Sequence, residues 1–585
     1  MPFLSTASPS RSGRAHRCPA TAPRRLRHCD DADDHADDEA DDDADDQADD
    51  DADDHADEGT MTTVSATIVA MVVLSAAGLL PTLAVVGLRW ITFPLAPLAG
   101  AVIAALAATG FVAVGGTFMV WFVSLAAVVA GVTALAWRKW PNRRPWAVEP
   151  GSGMSSPTGY RLFGALGALG IVAACAWCLR DLSTPTVGFD ARALWLTRSG
   201  WFLHSHQQVL TTLRAPTLVL GQSAYPPLVS AAGAVAWSVT GNHTLRLGVV
   251  VVALLNTCAL ATAAFAIVEF ARRFSWRLSA SEPRSHQRDP INLAAAAPMV
   301  AGLVAAVLLI FISFGITEPF MTNGYADPIW SLAALGAVVY GLQMSGGQSE
   351  YGVVAILVLT AGMAKNEGVV TAAVLIVLIA LRQLSIQFAD RANHPESRRW
   401  WWRGPIAVAV AELAAVGAWP VVMRAIGARG QSSPLSTPSQ WVSRARSTYD
   451  GFVPYLHVLL WAVPIAVVGG LLLSRVRSRS RAANDWWGWA GLASGLLAVA
   501  GALIVGTSAI EPWLATTVHR VTEFPALTGW WIVAMWVVVA SGAPAEAARQ
   551  RTARPDREDL PDPVTAPVTA PVAGPAPDSV RVPSV

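Results

Sequence analysis

Residues 351–381 read YGVVAILVLTAGMAKNEGVVTAAVLIVLIAL. The run exceeds the roughly 20 apolar residues that cross a bilayer, and Lys365, Asn366 and Glu367 interrupt it near its middle. A charge held at the centre of a spanning helix costs about 2.5–3.5 kcal/mol, a cost that falls at a membrane face. The stretch therefore predicts two helices, 350–364 and 367–382, joined by a polar turn at that face.

The rest of the chain has the same character. Of 585 residues, 53% are hydrophobic and 14% charged, with 24 Trp, which excludes an ordinary water-soluble globule and predicts an all-α polytopic membrane protein. Further spans are expected at 65–88, 92–113, 117–137, 160–180, 243–271, 293–315, 327–344, 404–425, 453–474, 486–508 and 526–541, about thirteen in all. The loops WRKWPNRRPW (137–146), ARRFSWRLSASEPRSHQR (271–288), RQLSIQFADRANHPESRRWWWR (382–403) and SRVRSRSR (474–481), and the tail after Ala545, are all basic. Thirteen spans put them on one side, which makes that side cytoplasmic. This threading requires that 225–240, YPPLVSAAGAVAWSVT, does not cross and instead forms an interfacial or half-buried helix. Trp400–Trp402 read as an aromatic belt at the inner rim.

The formal net charge of zero hides two opposed parts. Residues 30–58 hold 19 acids in an ADDH, ADDE, ADDD repeat, and residues 61–585 hold 36 Lys and Arg against 23 Asp and Glu. The acidic tail, 1–60, cannot bury a core and is expected to be disordered; Met61, at the head of the first span, is the expected natural start. Residues 61–158 then supply three helices and a basic loop, 159–541 the functional core, and 542–585 a disordered Pro-rich cytoplasmic tail. Cys175 and Cys178 form a C-x-x-C inside an apolar run, where packing thiols are the simpler reading. No feature suggests a nucleic-acid partner.

On the predicted outer face the polar residues gather. Asp190 lies in TVGFDARALW, a few residues beyond a span. Its carboxylate can act as general base or hold a divalent cation, or can start the helix that follows. In that segment Arg192 and Trp195 can meet each other, but Asp190 cannot share one α-helical face with both. Asp327 precedes Pro328 in GYADPIW and is well placed as an N-cap, yet with Glu318 and Tyr325 in the same loop it makes a paired-acid site possible. Lys365 can bind a lipid phosphate or pair with Glu367 to close its turn. Arg520, in TTVHRVTEF, can bind phosphate or snorkel to headgroups, and His519 reads as a surface histidine.

With GFDARALW, YPPL, YADP, KNEG and HRVTEF in that order and on one side, the chain over roughly 160–540 resembles the C-type glycosyltransferases, most of all the branch of the protein mannosyltransferases and the aminoarabinose lipid A transferase. The resemblance implies a GT-C-like core with outer-face juxtamembrane helices, in a multi-pass plasma-membrane enzyme whose site faces outside. The implied activity is an inverting hexosyl or pentosyl transfer from a polyprenyl-phosphate sugar to a glycan, lipid or protein of the cell envelope. Asp190 and Asp327 take the catalytic or metal-binding acidic positions, with Mg or Mn as the implied cation. Lys365 and Arg520 take the donor phosphate. Tyr225, Pro226 and Pro227 shape the cavity, which Arg192, Trp195, Glu318, Tyr325, Asn366, Glu367 and His519 also line. Two rival readings are a transporter or flippase for a lipid-linked sugar and a non-catalytic scaffold.

Overall fold

The computed structural model describes residues 62–139, 158–183, 185–215, 225–280, 293–317, 320–344, 348–393, 403–428, 436–454, 456–474, 479–505 and 510–542. The acidic tail, the expected start at Met61, Glu318, the Trp400–Trp402 belt and the Pro-rich tail lie outside them. The described chain is 88% helical with no strand, as expected where every backbone N–H and C=O must be satisfied within its own segment.

Helices α1 (Thr63–Val86), α2 (Thr92–Val114) and α3 (Phe118–Lys139) open the chain, and α4 (Thr158–Cys178) follows. A wide π-turn, Ala191–Leu196, then runs into α5 (Thr197–Trp201), and short helices α6 (His206–Arg214) and α7 (Leu228–Thr240) precede the long α8 (Leu245–Ala280). Next come α9 (Leu293–Thr317), α10 (Asp327–Ala337) with a π-turn at Val338–Gln343, α11 (Gln348–Ala364), α12 (Asn366–Asn393) and α13 (Arg403–Ala425). The last five are α14 (Pro438–Phe452), α15 (His457–Ser474), α16 (Arg479–Val505), α17 (Ile510–Val521) and α18 (Glu523–Ser541).

Nine helices among the described residues are long and apolar enough to cross a membrane: α1, α2, α3, α8, α9, α12, α13, α16 and the run through α17 into α18. The thirteen expected from sequence are thus a larger number than length and apolarity alone support. The difference lies in α4, α10, α11 and α15. Helix α10 has 11 residues, all buried, so it packs against protein on every side and its length answers to its neighbours instead of to a lipid slab. Helix α7 is also short, 13 residues or about 20 Å. Residues Leu228–Trp237 are all buried, so α7 is enclosed by protein where a half-buried interfacial helix was expected.

Two ends of the bundle can be told apart by their long-range contacts. At one, Arg89 sits 3.7 Å from Glu269, Glu269 accepts two 2.7 Å hydrogen bonds from Arg272, and the Tyr351 hydroxyl donates to Gln383 at 2.7 Å. At the other lie Asp190, Asp327, Lys365 and Arg520, drawn together from four separate segments. The helix ends flanking two of the basic loops, at Arg272 and Gln383, belong to the first end. Between the two ends, Val120, Val123, Val128 and Val132 on α3 and Val300, Val304 and Leu308 on α9 face outward, an apolar surface suited to lipid.

Sequence placed α1–α3 outside the functional core. In the structure α2 is largely buried, and Phe111 and Leu98 belong to the same apolar cluster as Trp195 and Trp330. Small residues let α1 and α2 pack backbone to backbone: a Cβ on Gly100 of α2 would collide with the Leu74 carbonyl, and one on Gly78 of α1 with the Ala96 carbonyl. Close backbone approach through small residues is how apolar helices gain packing without a hydrophobic drive between them. Gly100→Ala and Gly78→Ala are expected to lower the melting temperature by an overpacking cost of about 1–3 kcal/mol. Gly131→Ala, where nothing lies within 4 Å, should leave the melting temperature unchanged in the same thermal-denaturation assay.

Candidate functional site

Asp190 does not cap its helix. Its backbone is already helical, with φ −64° and ψ −34°, and its side chain makes no capping hydrogen bond. The carboxylate instead accepts from Arg520 Nη2 at 2.5 Å, across 330 residues of sequence. The segment is held by the Gly188 N–H donating to the Asn323 carbonyl at 3.0 Å. Gly188 has to be glycine, because a Cβ there would enter the Tyr325 ring.

Asp327 is the first residue of α10, with Ala326 in the cap position and Pro328 next. It is fully buried. Its Oδ1 accepts from Lys365 Nζ at 2.6 Å, and its Oδ2 accepts from Arg520 Nη2 at 2.6 Å and Nε at 3.1 Å. The helix N-terminus also favours a carboxylate at this place. Asp327 and Asp190 are therefore a pair, as the paired-acid reading expected, joined by one guanidinium.

Lys365 projects from the tight turn between α11 and α12 and is itself buried. Its second partner is Glu367, at 3.5 Å. The turn can close because Gly368 passes against the Ala361 carbonyl, where a Cβ would collide. Arg520 comes from α17, and its guanidinium lies 4.4 Å from the Tyr325 ring centroid and 5.5 Å from that of Phe320. The network thus holds three carboxylates against two cations, all partly or wholly shielded from water. Buried charges persist only when paired and hydrogen-bonded.

The remaining sequence candidates divide clearly. Tyr225 is buried, its ring packed edge-on to Trp195 at 5.1 Å. Burial raises its phenol pKa well above the ordinary value, and the carboxylates of Glu367, Asp190 and Asp327 add to the shift. His519 is half-buried and lies against Phe320, ring centroids 5.2 Å apart. Arg192 and Asn366 are exposed, and the structure does not bring them into the network. The π-turn explains the separation: its wider winding keeps Trp195 buried beside Tyr225 while Arg192 turns outward.

Two residues were missed. Glu523 follows Arg520 by three positions, a spacing that places them on one helical face; it is buried, with Oε1 lacking a hydrogen-bond partner. The HRVTEF stretch carried that signal. Arg198, in the same segment as Asp190, is buried as well.

A divalent cation fits this donor set poorly. Among the described residues no three His, Cys, Asp or Glu side chains form a metal-holding group, and the position between Asp190 and Asp327 is filled by the Arg520 guanidinium. The available chemistry is thus that of one partly open carboxylate, Asp190, its side chain 20% exposed, beside a fixed cation. The fully enclosed Asp327 has both oxygens engaged and acts by holding Lys365 and Arg520 in place.

Removing one member of such a network leaves its partner charged and buried, at a cost of about 3–5 kcal/mol. Lys365→Met should therefore lower the thermal midpoint sharply, and the double variant Lys365→Met/Asp327→Asn should recover part of the loss. Equal midpoints for the single and double variants would show that the two side chains are not energetically coupled. Comparison with protein-family models, with curated proteins and with solved structures finds no match to this chain.

Proposed function

We propose that the chain is a plasma-membrane glycosyltransferase that transfers a sugar from a polyprenyl-phosphate donor to a cell-envelope acceptor at the extracytoplasmic face. One observation carries the reading: Asp190, Asp327, Lys365 and Arg520, the four residues that the resemblance singles out, meet in a single network although up to 330 residues separate them. Four unrelated helix caps and snorkelling side chains have no reason to converge. In this reading the basic-loop end and the C-terminus are cytoplasmic, the Arg520 end faces outside, and α4, α10, α11 and α15 complete thirteen spans around a GT-C-like core.

The chemistry follows from the charges. The acceptor hydroxyl oxygen attacks the anomeric carbon, its proton passes to an Asp190 carboxylate oxygen, and the bond from that carbon to the phosphate oxygen breaks. The electron pair leaves with the polyprenyl phosphate. Attack opposite to the leaving group inverts the anomeric centre through an oxocarbenium-like transition state. Asp190 is suited to the base role because it is the one carboxylate of the pair that water reaches, and Arg520 fixes its direction. Asp327 holds Arg520 in turn, and Lys365 holds Asp327, as positioning residues.

Asp190→Asn keeps the shape and the hydrogen bond from Arg520 but cannot take a proton. Sugar transfer from a labelled polyprenyl-phosphate donor panel to envelope acceptors should fall by about 10²–10⁴-fold in a variant that still folds, because Arg520 keeps its hydrogen bonds to Asp327. Undiminished transfer by Asp190→Asn would remove Asp190 as the base. Translocation of the labelled donor across the membrane without transfer would favour a flippase.

A further inference from the structure

The network leaves a phosphate without a counter-charge. Lys365 and Arg520 are both engaged by carboxylates, and the five groups carry one net negative charge, which repels an incoming anion. Among the described residues of this segment, Arg198 is a buried cation that no carboxylate engages. Its side chain is 1% exposed, and none of Nε, Nη1 and Nη2 finds a hydrogen-bond acceptor among the described residues. Its Cζ lies 5.3 Å from the Trp419 ring centroid, and a ring face supplies about 2 kcal/mol even when desolvated. A buried guanidinium with no acceptor costs several kcal/mol, so its retention calls for an acceptor beyond the described residues, a role that a bound anion can fill.

The surroundings say which kind. Three residues before Arg198 on the same helical stretch, Trp195 is buried with its indole N–H also lacking an acceptor. Tyr225 packs edge-on against Trp195, and its hydroxyl interacts electrostatically both with Arg198 and with Asp190, Asp327 and Glu367. Helix α5 is pinned against α7, since Ser199 fills the space that a Cβ on Gly233 would need. Burial lowers the Arg198 pKa to about 9, so the group stays charged at neutral pH. On the far side, α13 carries Trp419 inward and presents Val410 and Val421 outward, so the site lies one helix away from an apolar exterior.

We propose that Arg198 and the Trp195 indole N–H seat the phosphate of a lipid-linked substrate. The guanidinium fork matches phosphate oxygens in geometry and charge. Arg198 follows Asp190 by eight residues, across the π-turn and into α5. The ligand class rests on the glycosyltransferase reading; the unpaired cation does not.

The test is equilibrium binding of radiolabelled farnesyl phosphate to the full chain in phosphatidylcholine nanodiscs. Wild type should bind saturably, Arg198→Gln at least tenfold more weakly, and Asp190→Asn as tightly as wild type or more so. A folded Arg198→Gln protein with wild-type affinity overturns the proposal. Should Arg198→Gln fail to fold, Trp195→Phe provides the second measurement, with about a threefold loss expected and an unchanged affinity overturning the proposal. Displacement of farnesyl phosphate by equimolar inorganic phosphate or phosphatidylglycerol overturns the assignment to a lipid-linked substrate. Binding is scored without turnover, so Arg198-dependent binding together with full transfer by Asp190→Asn would sink the function above and leave this site standing.

Discussion

The Arg520 guanidinium, set between Asp190 and Asp327, is the contact that the functional end of the molecule is built around. A guanidinium cannot shed its proton, so once enclosed it must be surrounded by acceptors. Asp327 supplies two hydrogen bonds and Asp190 a third. That demand places the start of α10, the segment after α4 and the end of α17 beside each other, and Lys365 then has to enter to balance Asp327. The aromatic faces of Tyr325 and Phe320 close over what remains.

A second constraint acts through backbone spacing. Apolar helices gain little by burying apolar surface against one another in lipid, so close contact decides which of them pack. Gly78, Gly100 and Gly368 each sit where a neighbouring carbonyl leaves no room for a methyl group. Such approaches carry α2 into the core, and at the KNEG turn they set the position of Lys365. The charge network and the small-residue contacts are thus joined at one loop.

Much of this was legible in the sequence. The KNEG interruption required a turn between two helices, and the structure places Lys365 between α11 and α12. Asp before Pro marked the start of α10. The partners were not legible, because periodicity and propensity describe neighbours along the chain whereas Arg520 meets carboxylates 193 and 330 residues away. Capping therefore looked sufficient for Asp190, whose side chain makes no capping bond. The π-turn was also invisible, and with it the separation of Trp195 from Arg192. Nothing in the sequence sets Arg198 apart from the other arginines of its segment, and only its burial does so. The helix count differed for a related reason: composition identifies apolar segments but does not distinguish those facing lipid from those, like α10, enclosed by protein.

The order in which these residues leave the ribosome gives the network a history. Asp327 and Lys365 lie 38 residues apart and can neutralise each other as soon as α11 packs on α10, so neither need wait in the membrane as a lone charge. Asp190 emerges earliest, and its partner Arg520 is among the last segments synthesised. A chain that stops anywhere in between carries Asp190 without the Arg520 cation that answers it in the folded molecule.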